Sequence, residues 1–533
     1  MLQLQNEPSF LHSHSVGQIA LILGGVAIGA LALAALAFFV RSRWLLAAVL
    51  ALGVVQFFGP FGFTSIALLV TCTFLPVAFW RVRAIRGAPF IWGLVLGGLA
   101  VWQAISSLWS EKLGSAGYAV VFSVALLTAF LLALDVVRRD PAGAPRAVAA
   151  ASPLIIASGL LVVLFRVLPR VEAGYLLSPI ARFFSEPDVI LVSRSEVNIA
   201  LDPVRSLGLF ADVARPSGST GLLEGLFVRD DLTYFQNVLD PAKAGGVFLN
   251  GNTASMFFGV TACVAIWALA TSRTTGGGRP LAAVHATTAI VSVAALVATG
   301  SKTALLLLVG LPVLAFFIGW AVRRPRAGTI VGVVGVLGAA GGITAMLVAR
   351  PGLLTSSTLA DRLGLWRMVS AAFPERWFFG FGFGNWRFHV VEEWPHYFPN
   401  VATQVWPPHN LFLMAWTDAG LVSLVLVLIV VLVPLVAALR RMGEARFSGS
   451  AATSADPAGR RPAPLFGSAA IARAAVFVGL AWIVVHGMAD TTTYGGDNHT
   501  LPFAALLTAL ALTAAPAAAP RPPHALLPTP PSE

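Results

Sequence analysis

The chain has 533 residues, of which 57% are hydrophobic and only 11% charged, with a mean hydropathy of +0.81. A soluble protein of this size carries about 25% charged residues, so the composition excludes an ordinary globular enzyme. The formal charge of +11 falls mostly in short basic clusters between apolar runs, which argues for a membrane protein obeying the positive-inside rule and against nucleic-acid binding.

In chain order, the ~20-residue length of a bilayer span gives about 13 apolar spans, near residues 17–40, 44–58, 62–80, 89–109, 117–136, 147–168, 253–271, 281–299, 302–321, 328–348, 410–439, 471–488 and 500–516. The second ends at Gly59-Pro60 and reads as a half-span or re-entrant piece. The expected fold is all-α, a polytopic membrane helix bundle of 12–13 transmembrane helices. Basic clusters follow alternate spans, at Arg41/Arg43, Arg81/Arg83/Arg86, Arg138/Arg139/Arg146, Arg273/Arg279, Arg323/Arg324/Arg326 and Arg440/Arg441/Arg446. Those loops are expected in the cytoplasm.

This orientation places two long segments, Pro169–Asn252 and Ala349–Pro408, on the outer side. It also divides the chain. Residues 1–168 are N-terminal spans, 169–252 a long periplasmic loop, 253–348 further spans, 349–408 a second loop, and 409–516 C-terminal spans. The segment Gly443–Pro464, within a cytoplasmic linker of 440–470, and the tail at 517–533 are rich in Ala and Pro and read as disordered. The preference for arginine over lysine, with abundant Ala, Gly, Val and Leu, fits GC-rich coding and a bacterial inner-membrane protein. Cys72 and Cys263 lie inside apolar runs and read as small apolar fillers. His12 and His14 lack further ligands and make no metal site.

The second loop combines Arg362, Trp366, Arg367, Arg376, Trp377, Arg387, Trp394 and Trp406 with several Phe. Tryptophan and arginine anchor chains at membrane interfaces; arginine's fork also suits phosphate. Gly380-Phe-Gly-Phe-Gly384 has glycines at the wrong spacing for a dinucleotide loop and no βαβ context, so it reads as a tight interfacial turn. His409 and Asn410 stand after Pro407-Pro408 at the mouth of an apolar run that reaches Leu439 without Lys or Arg. A histidine there can exchange a proton near neutral pH at the water–membrane boundary. Asp418 lies roughly 13 Å deeper along that helix at 1.5 Å per residue, and reads as orienting a buried polar group. Gly420 reads as a close helix-packing position.

Four segments together resemble the O-antigen ligase family, which includes related polysaccharide polymerases. Gly246-Val-Phe-Leu-Asn250-Gly-Asn252-Thr-Ala254 is similar to its G-x-F-x-N-x-N-x-x-A helix entry, and Ser301-Lys302-Thr-Ala-Leu305 to its S-R-x-x-L start. Arg362-Leu-Gly-Leu-Trp366, continuing through Phe373-Pro374 to Gly382, is similar to R-x-x-x-W followed by P-x-x-G-x-G. His409-Asn410 with Gly420 fits H-N-x9-G. Lys302 stands where the family carries arginine, keeping the charge and losing the fork. His486 and Asp490, at another outer helix end, resemble a weaker family feature.

The resemblance implies a GT-C-like glycosyltransferase. It would move a glycan from undecaprenyl diphosphate to a sugar hydroxyl, either on lipid A-core or on another lipid-linked glycan, at the periplasmic face. It implies His409 as general base. Lys302 and Arg362, with Arg367 in reserve, would hold the donor diphosphate, and Asn252, Asn410, Asp418 and Gly420 would support the site. No metal or other cofactor is expected. Ligase and polymerase remain alternatives, and a transporter is a third reading. A transporter should show broken helices and midplane ionisable groups, whereas the distinctive residues here gather in the outer loops, Asp418 being the main exception.

Overall fold

The computed structural model describes residues 16–56, 65–82, 85–110, 113–168, 171–172, 175, 180, 243–248, 250–274, 278–323, 326, 357–399, 407–450, 467–490 and 497–513. The chain is an all-α, polytopic membrane protein, with no strand among these residues. Among the described residues, eight helical stretches are long and apolar enough to cross a membrane. Four shorter apolar stretches, Gly24–Phe39, Ser42–Val54, Ile66–Arg81 and Leu501–Leu512, accompany them. Together these stretches coincide with twelve of the 13 expected apolar runs, and the expected helix bundle of 12–13 spans agrees with them. The expected span at 328–348, most of the loop at 169–252 and the tail at 517–533 lie outside the described residues.

The helices are α1 Val16–Phe39, α2 Ser42–Val54, α3 Ile66–Thr73, α4 Leu75–Arg81, α5 Ala88–Ser106, α6 Leu113–Arg139, α7 Gly143–Val167, α8 Gly251–Thr274, α9 Gly278–Ala298, α10 Lys302–Arg323, α11 Ser357–Arg376, α12 Trp386–Tyr397, α13 Leu411–Ser450, α14 Ser468–Gly487 and α15 Leu501–Leu512. The run expected as one span at 62–80 is two helices. Ser65 caps the first by accepting from the Leu68 N–H at 3.1 Å, and Phe74 separates it from the second.

α8 and α15 sit at the centre, buried on almost every side, with Phe257, Phe258 and Phe503 fully enclosed. α8 packs on α9 and α14, and α15 on α6, α13 and α14. Small residues allow the closest approaches. A Cβ on Gly259 would meet the Trp482 ring of α14 at 2.3 Å, as expected where helices associate by packing within lipid. Cys72 and Cys263 are free thiols.

Hydrogen bonds fix which helix ends lie together. At one end the Ala244 N–H donates to Thr299 (3.3 Å), His499 Nδ1 lies 2.9 Å from the Gly53 carbonyl, and Asn410 Nδ2 donates to Met488 (3.1 Å). At the other end Arg441 donates to the Leu510 carbonyl, tying α13 to α15, and Ser42 meets Asp135. The basic clusters at Arg41/Arg43, Arg81 and Arg138/Arg139 share this second end.

The segment 349–408, expected as a loop, holds α11 and α12. They have a small core of their own: Leu365, Met368, Val369, Trp386, Val390, Trp394, Phe398 and Trp416. Gly364 lets Phe398 lie directly on α11, since a Cβ there would meet the ring at 2.6 Å. The helical pattern escapes a hydropathy reading because these helices are too polar to span. α13 also continues to Ser450, past the start of the Ala/Ser/Gly-rich composition at Gly443.

Candidate active site

α13 begins where the sequence places its start. Asn410 Oδ1 accepts from the Phe412 and Leu413 N–H groups at 2.9 and 3.1 Å, a side-chain N-cap. Its Nδ2 donates to Met488 and so binds the start of α13 to the end of α14. His409 has φ +48°, and is the only non-glycine residue with positive φ among the described residues. That conformation is uncommon outside glycine and clusters at functional sites. Two contacts hold it. Trp366 Nε1–H donates to the Pro408 carbonyl at 2.9 Å, and His409 Nδ1 lies 3.1 Å from Asp490 Oδ1. The His409 side chain is 28% exposed and that of Asp490 13%.

Around this pair stand Asp361, Arg362 and His486. Asp361 lies within electrostatic reach of His409, whose charge pulls against burial, and burial holds the carboxyl above the ordinary carboxylate range. Arg362 and Asp490 both act on His486. His486 Nε2 is 3.3 Å from Ser255 Oγ, and its buried Nδ1 has no hydrogen-bond partner among the described residues. α8, α11, α13, α14 and the turn after α14 thus converge on one polar centre.

Sequence-predicted residues divide around it. His409 and Arg362 belong to it. Trp366, one turn after Arg362, locks the backbone beside His409. Arg367 is exposed and lies roughly 140° round α11 from Arg362 at 100° per residue, so it does not share that face. Lys302 is exposed at the first turn of α10, which packs on α14. A cation at a helix N-terminus opposes the helix dipole, so its place is not explained by helix stability. At the entry to α8, Asn250 does the turning. Its Oδ1 accepts from the Asn252 N–H at 2.8 Å, an Asx turn. Asp490, given little weight by the sequence, is the residue that contacts His409.

Gly420 requires a correction. It does not serve helix–helix packing; α13 breaks there, at Ala419 (φ −145°, ψ 26°) and Gly420 (φ 73°, ψ −164°). The Gly380–Gly384 segment is wedged into the break rather than forming a surface turn alone. Phe381 N–H donates to Thr417 at 2.8 Å, and Leu421 N–H is shared by Trp377 and Phe378 at 3.1 Å. Trp102 Nε1–H donates to the Ala419 carbonyl at 2.7 Å. A Cβ on Gly420 would lie 1.8 Å from the Phe378 oxygen. Asp418 is buried and accepts from the Gly384 N–H at 3.3 Å, so its carboxylate holds the wedge in place. A broken helix with an ionisable group beside it was the feature expected of a transporter. Here the groups freed by the break pair with protein backbone, one of the ways in which irregular backbone is accommodated at membrane depth.

Residues 287–428 match the family model described as O-Antigen ligase. The matched region runs from within α9 to just beyond the α13 break, and so includes Lys302, Arg362 and His409. It supports assignment to the O-antigen ligase family. No curated protein matches the chain significantly.

Proposed function

We propose, for a chain whose residues 287–428 carry the O-antigen ligase match, that it transfers a glycan from undecaprenyl diphosphate to an acceptor sugar hydroxyl at the periplasmic face of the bacterial inner membrane. The observation that carries this reading is the His409–Asp490 pair, 3.1 Å apart, at the mouth of a membrane helix and beside Arg362.

The chemistry needs a base and a place for negative charge. With Nδ1–H donating to Asp490, the neutral imidazole carries its lone pair on Nε2. That nitrogen takes the proton as the acceptor oxygen bonds to the anomeric carbon. The bond from that carbon to the diphosphate oxygen breaks, and its electron pair leaves with undecaprenyl diphosphate, which gains one negative charge. Arg362 and Lys302 are the cations suited to hold that charge, because fixed charges aimed at a leaving group lower the barrier. Asp490 fixes the tautomer and stabilises the imidazolium. Arg367 faces elsewhere and drops behind these two. No step calls on a metal, since protein cations meet the diphosphate.

The acceptor is lipid A-core for a ligase and a second lipid-linked glycan for a polymerase. Both use the same base and cations, so the acceptor must be found by experiment. In a deletion strain, complete loss of capped lipid A-core with polymer still made means ligase; caps of a single repeat mean polymerase. For the mechanism, His409→Ala should slow transfer by about 10²–10⁴-fold, the usual range for a general base, while donor binding by purified, folded protein persists. Transfer at a near-normal rate would make His409 structural and end this reading. Loss of donor binding would move it to the phosphate site.

A further inference from the structure

At the end of the bundle opposite His409, the C-terminus of α1, the start of α2 and the ends of α4 and α6 line an open cleft of about 410 Å³. Its volume is within the range of about 300–1,000 Å³ usual for small-ligand sites. Its charged walls are Arg41, Arg43, Arg81 and Arg139 against Asp135 and Asp140. We infer that this cleft binds the phosphodiester headgroup of an anionic phospholipid, with Arg41 and Arg43 as its principal contacts.

The charge balance points to an anion. Asp135 forms an ion pair with Arg139, Oδ1 lying 2.9 Å from Nε without a hydrogen bond among the described residues, and its Oδ2 accepts from Ser42. Arg81 donates to Ser42 Oγ at 2.9 Å and to the carbonyls of Ala37, Phe38 and Val40 at 3.1, 3.0 and 2.6 Å. Carbonyls satisfy its N–H groups without cancelling its charge, so the cleft keeps a positive surplus. Arg43 stands 3.7 Å from Asp140, too far for a hydrogen bond, and its buried Nε has no partner among the described residues. An oxyanion between Arg41 and Arg43 would offset the surplus.

The surroundings point to a lipid rather than a soluble phosphate. α1 packs chiefly on the two short helices α3 and α4 and leaves a broad apolar face uncovered. Phe39 is 88% exposed and Trp80 60%, both beside the charged mouth, with Phe38 edge-on to Trp80 at 6.4 Å. Acyl chains lying along α1 and α4 would cover this face while the headgroup enters the cleft. Basic pockets between membrane helices are suited to such headgroups.

The test measures binding of short-chain phosphatidylglycerol to the full-length protein in neutral detergent, by the shift of its thermal unfolding. Short-chain phosphatidylcholine and inorganic phosphate form parallel arms. Wild type should bind phosphatidylglycerol more tightly than either. The double variant Arg41→Gln/Arg43→Gln should bind it about 30-fold more weakly, from about fivefold per cation at an anionic lipid surface. Arg41→Gln alone, at an exposed side chain that folding does not need, should lose about fivefold. Arg440→Gln, exposed in another basic cluster at the same end, should bind as wild type does. Undiminished binding by both Arg41→Gln and the double variant would overturn the inference, as would an equal loss in Arg440→Gln. Equal affinity for phosphatidylcholine would make the apolar wall sufficient, and equal affinity for inorganic phosphate would make the ligand soluble; either result rejects the anionic lipid.

Discussion

Replacing Asp490 by asparagine removes one charge and little volume from beside His409. Two unit charges separated by the 3.1 Å of this pair interact by roughly 1.3 kcal/mol at the permittivity of water and roughly 5 kcal/mol at an effective value of about 20. The side chains are 28% and 13% exposed, so the site lies between these limits. About 2.7 kcal/mol of lost imidazolium stabilisation is a central figure, and at about 1.4 kcal/mol per tenfold it corresponds to a rate loss of about 10²-fold. Asparagine can also turn its NH₂ toward Nδ1 and favour the wrong tautomer, which moves the loss upward. The assay is transfer in proteoliposomes with a defined undecaprenyl-diphosphate donor, read as kcat and donor KM separately. The loss should fall on kcat, with donor KM held, because Asp490 serves the base and not the diphosphate. If Asp490→Asn transferred at the wild-type rate while His409→Ala did not transfer, the carboxylate would have no part in activating His409. An equal rise in donor KM would instead place Asp490 with the donor-binding groups.

Three further outcomes are expected. Lys302→Ala should lose transfer strongly and Lys302→Arg should retain much of it, since the position needs a cation; wild-type transfer by a normally expressed Lys302→Ala would remove this residue from the site. Gly420→Ala should lower stability by more than about 3 kcal/mol, the upper range for a strained backbone position, because its Cβ would collide with the Phe378 carbonyl; Gly310→Ala, with open space around it, is the control in a thermal-unfolding comparison. Alkaline phosphatase fused near Trp394 should be active and fused near Gly449 inactive; the reverse would place the His409 centre in the cytoplasm.

How much of this was legible in the sequence depended on how local each signal is. His409 and Asn410 could be found because two prolines, a cap and an apolar run follow one another within a few residues. Arg362 and Trp366 lie one helical turn apart and could be read together, though not that Trp366 secures the Pro408 carbonyl. Asp490 was seen beside His486 but given little weight, because its contact with His409 spans 81 residues and joins the ends of two different helices. The apolar runs at α2 and α15 were clear, but their folded lengths are set by a neighbouring turn. Around them, Gly53 approaches the backbone of His499 so closely that a Cβ would lie 2.9 Å from its carbonyl. α11 and α12 were hidden by polarity: Arg, Glu and Trp crowd both helices, and Pro374 and Pro395 fall within them. The need for glycine at 420 was visible, but its cause, a passing loop, was not.

The wedge at the α13 break also determines which substitutions its sequence can absorb. Most of its stitches run from main chain to main chain, and any residue with an N–H and a carbonyl can make them. The large aromatic side chains at 378 and 379 point partly outward and are free to change among bulky apolar types. Gly380, Gly382 and Gly420 are not, because a Cβ at each would lie within 3 Å of backbone atoms in another segment. A glycine rhythm that looks like a cradle for a ligand is therefore the imprint of one stretch of backbone mending another. Divergence in this segment should erase its aromatic lettering long before it erases its glycine spacing.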